Sequence, residues 1–276
     1  MIHEMLKIGS RVTCLPIVHG SGDFAWEVRR LMLKNDFDCI AIPLPPSFQT
    51  PVEEAILNLP TPSIVFQKDL PEYHTAWTPE NQSESGEAEG SESSTDEDAP
   101  EFEPGASYVP IDPCQGVIAA IRTAMGDHIP RKFIDLETSC YHPHTRSLPD
   151  AYALKKLPIE RFTAAIVPHI TASTEPQWKS RIACQAWNVR ELCIDYKNIL
   201  LVTSVLDFPW IRQAFHDKNL APPEEENSLT PENYQLPLDS LYFLLGELPF
   251  ITGLYEHARQ ELSDDEHLSM DGPEEL

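Results

Sequence analysis

The chain has 276 residues, a formal net charge of −24 and a pI near 4.6. That length buries a large core, in one sizeable α/β domain or two small ones. The excess acid argues against a nucleic-acid phosphate surface or an anionic membrane as partner, and no run reaches the ~20 apolar residues of a spanning helix.

The first organised stretch runs from Cys14 to Pro45 and reads as strand, turn, helix, strand. Leu15 to Val18 is a short apolar run. His19-Gly20-Ser21-Gly22-Asp23 then turns the chain, with Ser21 or Asp23 placed to cap a helix. Phe24, Ala25, Val28, Leu31 and Met32 fall on one helical face. Cys39 to Ile42 is a second buried-strand pattern. Pro43, Pro45, Pro46 and Pro51 predict a rigid loop, followed by a helix over Val52 to Leu59 that Pro60 and Pro62 end. Ser63 to Gln67 is a third strand.

Residues 79–104 contain no Lys or Arg and almost nothing apolar. Such a segment buries too little surface to offset its ordering entropy, so a disordered acidic insertion is expected there. Order returns with a strand over Ser107 to Ile111. Asp112-Pro113 has the form of a helix start, Val117, Ile118, Ile121, Ala124 and Met125 form the apolar face, and Gly126 is placed to end it. Arg131 to Leu136 reads as the next strand, with Asp135 and Glu137 at its carboxyl end. This second strand–helix–strand pattern predicts βαβ units and a mostly parallel central sheet with helices on both faces.

Residues 138–158 are irregular and rich in His and Pro. Phe162 to Pro168 reads equally as a strand or as the end of a helix. Trp178 to Tyr196 is the longest helical pattern, with Trp178, Ile182, Ala186, Val189 and Cys193 on one stripe. Asn198 to Val205 is continuously apolar and therefore central. Asp207 opens a helix through Phe215, and 237–259 can make two short helices broken near Pro249. The expected organisation is one α/β domain formed by 1–78 and 105–221, then an acidic helical extension over 222–276. That extension ends in a helix-start signal with no helix after it, as in a fragment of a longer protein. The six cysteines form no CxxC pair and the N-terminus MIHEMLKIGSR has no long apolar stretch. Reduced thiols and a cytoplasmic location are expected.

Ligands in parallel sheets bind outside the carboxyl ends of the strands. The polar residues expected there are His19, Ser21 and Asp23, then Asp135 and Glu137, then Asp207. His19 is a candidate base or metal ligand, and the backbone around Gly20 and Ser21 a candidate anion cradle. Asp135 and Glu137 share a face if their strand continues, which suits a divalent metal or acid–base work. Cys140, His142 and His144 alternate along the chain and could place three metal donors on one side of an extended segment. The simpler reading of each is a capped loop or a solvated turn residue.

The His-Gly-Ser-Gly turn entering a helix, the strand from Phe37 to Pro45 and the order SYVPIDP…RKFIDLE resemble the bacterial TraB/ChaN/erythromycin-esterase-like superfamily, and within it most nearly an uncharacterised bacterial branch. The resemblance covers roughly residues 14–217. It implies an α/β fold whose active members hydrolyse esters or peptides, some with a divalent metal, while the ChaN-like members bind haem. It also implies a site made of a first-strand His, a Glu after the second strand, an Arg and a late His. His19 fills the first place and Arg181 the third, but Pro43 stands near the Glu position and Asp207-Phe208 at the late His. Two of the four polar roles are altered. The expectation is therefore a non-catalytic or regulatory binding component of a larger bacterial assembly, a pseudoenzyme whose acidic segments dock a protein partner. The alternative is an atypical metal-assisted hydrolase of ester or peptide bonds using His19, Asp135, Glu137 and Asp207, with His142 and His144 as further candidates.

Overall fold

The computed structural model describes residues 4–69, 105–222, 224–226, 228–245 and 249–260. The predicted acidic insertion at 79–104 and the final residues of the chain lie outside this set.

A five-stranded sheet organises the fold. Its strands are β1 (Lys7–Ile8), β2 (Val12–Ile17), β3 (Cys39–Ile42), β6 (Arg131–Phe133) and β7 (Ile199–Ser204), in the order β1-β2-β7-β3-β6. All neighbours are parallel except β1 against β2. β7 is central, as its unbroken apolar run predicts. Successive side chains alternate between two helical layers. Leu15, Ile17, Ile40, Ile42, Leu200 and Val202 enter one core, with α1 (Gly22–Lys34), α2 (Gln49–Ile56), α3 (Gly116–Gly126) and α4 (Ile159–Ile166). Val12, Cys14, Cys39, Ala41, Ile199 and Leu201 enter the other, with α5 (Pro176–Asp195) and α6 (Phe208–His216).

The remaining strands β4 (Ser63–Lys68), β5 (Ala106–Ile111) and β8 (Glu232–Gln235) form a separate antiparallel sheet in the order β5-β4-β8. This corrects the second predicted βαβ unit: β5 and β6 flank α3 but belong to different sheets. β8 was not expected, because its exposed Glu-Asn-Tyr-Gln segment has no apolar pattern and is made a strand by pairing with β4. The C-terminal extension therefore completes this sheet before α7 (Leu241–Leu244) and α8 (Pro249–Gln260).

Other boundaries moved for local reasons. Pro46 opens a 3-10 turn over Pro46–Phe48, and α2 follows directly where a rigid loop was expected. The Asp112-Pro113 signal makes a turn and not a helix start. Asp112 is fully buried, its carboxylate accepts the Cys114 N–H at 2.9 Å, and α3 begins only at Gly116 after Gln115. Residues 162–166 are helical, within α4. β6 ends at Phe133, although Ile134 and Asp135 still donate their N–H groups to the carbonyls of Ile42 and Leu44 at 2.9 and 3.0 Å.

Candidate functional site

The carboxyl ends of β2, β3, β6 and β7 open into a cavity of about 290 Å³, roofed by the antiparallel sheet. His19, Asp135, Arg181 and Asp207 all line it. Four of the residues that the sequence proposed from separate stretches thus meet in one place.

The turn after β2 positions His19. β2 stays in register with β7 to Ile17↔Ser204, and Val205 donates its N–H to the Ile17 carbonyl at 2.8 Å. Gly20 then takes a φ of +79°, which a β-carbon would strain. Its N–H donates to the Gln115 side-chain oxygen at 2.9 Å, which engages the donor proposed for an anion cradle. Ser21 is the N-cap residue of α1 without a side-chain capping bond, and its carbonyl accepts from Phe24 and Ala25. Gly20, Ser21 and Asp23 do not line the cavity.

Asp135 and Arg181 form its charged wall. Both are buried; Arg181 Nε donates to Asp135 Oδ2 at 3.0 Å and its Nη2 contacts the same oxygen. Asp135 Oδ1 accepts the Leu136 N–H at 2.9 Å. The guanidinium also lies 4.7 Å from the Tyr141 ring centre, a cation–π arrangement. Burial alone would weaken the hold of Arg181 on its proton, but Asp135, with Tyr141 and Asp207, outweighs it and raises its pKa. Arg181 is therefore a permanent cation at the cavity wall.

Asp207 is the N-cap residue of α6 and accepts the Trp178 indole N–H at 2.8 Å. His144 stands beside it, Nδ1 being 3.9 Å from Asp207 Oδ1, with its ring edge-on to Trp178. His144 Nδ1 is buried and has no hydrogen-bond partner among the described residues.

His19 is open to solvent within the cavity, yet protein atoms crowd it. Desolvation pulls its imidazole below the ordinary 6.5, with Asp207 opposing and Arg181 reinforcing the shift. The folded chain therefore gives up this proton at lower pH than the unfolded chain. Stability linked to His19 is present above 6.5 and lost as pH falls toward the folded value. Contact with cavity solvent keeps that contribution small. An NMR titration of the His19 ring is expected to give a midpoint below 6.5, and Asp207→Asn, which removes the opposing charge, to lower it further.

Glu137 does not share a face with Asp135, because β6 stops before either residue. Its carboxylate accepts from the Ser47 N–H at 2.7 Å, the Ser47 hydroxyl at 2.8 Å and the Ser228 hydroxyl at 3.2 Å, tying three loops together. The proposed metal donors also part company. Cys140 Sγ lies 3.5 Å from an Asp69 oxygen, His142 Nδ1 lies 2.8 Å from Glu175, and only His144 reaches the cavity. Among the described residues no three His, Cys, Asp or Glu side chains are gathered to hold a metal ion. The six cysteines are free, as expected, and no described helix is long and apolar enough to cross a membrane.

Several lining residues escaped the sequence reading. Ser204 ends β7 and obeys the same strand-end rule that selected Asp135. Tyr141 lay unweighed inside the Cys-Tyr-His-Pro-His run. β5 read as a strand but gave no sign that it borders the site, since only the packing of the second sheet brings it to this edge, and Gln115 is placed there at the start of α3, where it accepts the Gly20 N–H. Comparison with protein-family models, with curated proteins and with solved structures gave no match.

Proposed function

We propose that the chain is a non-catalytic binding component of a larger assembly and that the cavity above the parallel sheet is its recognition site. One observation carries this reading: the buried ion pair in the cavity wall is fully engaged within the protein, and Asp207 is held in place through one of its two oxygens. Asp135 is held by Arg181 and the Leu136 N–H, and Asp207 by Trp178. A general acid or base needs a lone pair or proton aimed at the substrate; these groups instead hold the wall rigid, as a preorganised pocket requires. The resemblance to hydrolases of the TraB/ChaN/erythromycin-esterase-like group supports the same reading, with Pro43 and Asp207 at two altered positions. An acidic surface suits a protein partner.

The gathering of His19, Asp135, Arg181 and Asp207 favours a second reading, a hydrolase in which neutral His19 is the base. Cys140 and His142 are held away from the cavity, so this scheme places no metal on the Cys140–His142–His144 set.

A thermal-shift screen of small molecules against the purified chain, beside hydrolysis assays with ester and peptide substrates, tests both. Val109, half-buried in β5, lines the cavity. Val109→Trp fills it, and ligands that raise Tm in the parent are expected to lose at least about tenfold in affinity for this variant. Ligands that stabilise both proteins equally would sink the recognition site. Turnover lost in His19→Ala would replace it with the hydrolase.

A further inference from the structure

We propose that β5 is a docking edge: an extended, basic peptide adds to it as a fourth strand and places a cationic side chain in the cavity. The proposal rests on the cavity being a binding site and names what fills it.

β5 pairs with β4 on one side only, and its other side is the end of the sheet among the described residues. Its register shows which groups face outward. Asp69 donates its N–H to the Gly105 carbonyl at 2.9 Å, so this pair is hydrogen-bonded. Bonded and non-bonded pairs alternate along an antiparallel ladder. Ser107, Val109 and Ile111 therefore bond toward β4, and the N–H and C=O groups of Ala106 and Tyr108 point to the free edge. Pro110 falls in the outward set, where its missing N–H costs no ladder bond. The edge thus offers two donors and three acceptors in strand geometry, a template for strand addition.

The cavity runs along this edge. Ser107, Tyr108, Val109 and Pro110 all line it, although consecutive side chains point to opposite faces, so the feature they share is the strand margin. Charge selects the occupant. Two carboxylates, Asp135 and Asp207, face the cavity against one guanidinium. Arg181 hydrogen-bonds Asp135, while Asp207, which feels Arg181 only at longer range and has His144 Nδ1 3.9 Å away, accepts among the described residues a hydrogen bond from the neutral indole of Trp178. A lysine or arginine of the incoming strand would supply the missing positive charge. Two copies of this chain each carry a net charge of −24 over their full length, which opposes pairing between copies.

The test uses a fluorescent peptide of about nine residues alternating Lys and Val, titrated into the full chain by anisotropy. Two further peptides are its backbone N-methylated form and its Glu-for-Lys counterpart. Binding of the Lys peptide is expected, with a loss of at least about tenfold on N-methylation and similar weakening for the Glu peptide. Tyr108→Pro removes one outward N–H and leaves the β4 ladder intact. It is expected to weaken binding about tenfold, against roughly threefold for Tyr108→Ala, with thermal melts reporting that both variants fold. Asp207→Asn is expected to weaken the Lys peptide and not the Glu peptide. Equal binding of the N-methylated peptide, or no binding up to about 1 mM, overturns strand addition. If peptides fail while small molecules still stabilise the parent and not Val109→Trp, only the docking edge falls. If both fail, the recognition cavity falls with it.

Discussion

Replacing Arg181 by methionine is expected to destabilise the chain by about 3–5 kcal/mol, the range for leaving one member of a buried ion pair alone. Asp135 is 3% exposed and Arg181 7%. Without the guanidinium, the carboxylate keeps only the Leu136 N–H as a hydrogen-bond donor. The cost is the penalty of a buried, uncompensated charge and not the net worth of the pair, and the two can be separated. Asp135→Leu with Arg181→Met replaces both partners by apolar groups of similar size and is expected to be closer to the parent than Arg181→Met alone. Urea unfolding of the four proteins in the cycle measures this. A double variant as unstable as the single one would show that Arg181 acts through its stacking on Tyr141, 4.7 Å away, and not through Asp135.

Phe24→Ala is expected to cost a similar amount, about 3–5 kcal/mol. Phe24 is fully buried near the start of α1, five residues after His19, and meets Phe162 of α4 edge to face with ring centres 5.7 Å apart. Alanine loses the apolar burial and the aromatic pair, and leaves a void that the surrounding isoleucines and valines fill only in part. At roughly 2–4 °C per kcal/mol for a domain of this size, the drop in Tm is easily resolved by calorimetry. Phe24→Leu keeps most of the volume and is expected to lose less than half as much. Equal losses for both variants would assign the effect to the aromatic pair and not to packing volume.

The contrast between β3 and β5 shows how far the residues alone could be read. Cys39 to Ile42 is buried on both faces, so its composition announces a central strand, and its limits agree with the pattern residue for residue. Ala106–Ile111 has a half-exposed pattern that also announces a strand. Nothing in that pattern says which sheet it joins, and it pairs with β4, beyond the long acidic insertion, instead of joining β6. Asp112-Pro113 failed for a different reason. Aspartate before proline suits a helix start and a tight turn alike, and full burial of Asp112 decided for the turn.

At the site, the strand-end rule selected His19, Asp135 and Asp207, which line one cavity; Arg181, which the residues alone suggested only as a solvated helix arginine and which entered through the family resemblance, is buried on the side of α5 that meets them. The rule failed for Glu137, because alternation along a strand holds only while the strand lasts. With β6 ended at Phe133, the chain turns and Glu137 is captured by Ser47 and Ser228.

The sequence by itself determined the parallel sheet, its helices and three of the polar groups at its carboxyl edge, His19, Asp135 and Asp207, because periodic burial is written into neighbouring residues. Only the tertiary structure decided the second sheet over the cavity, the pairing of Asp135 with Arg181 and the open margin of β5. Each of these depends on residues tens of positions apart, and which distant partner a strand or charge finds is settled by packing, on which local periodicity is silent.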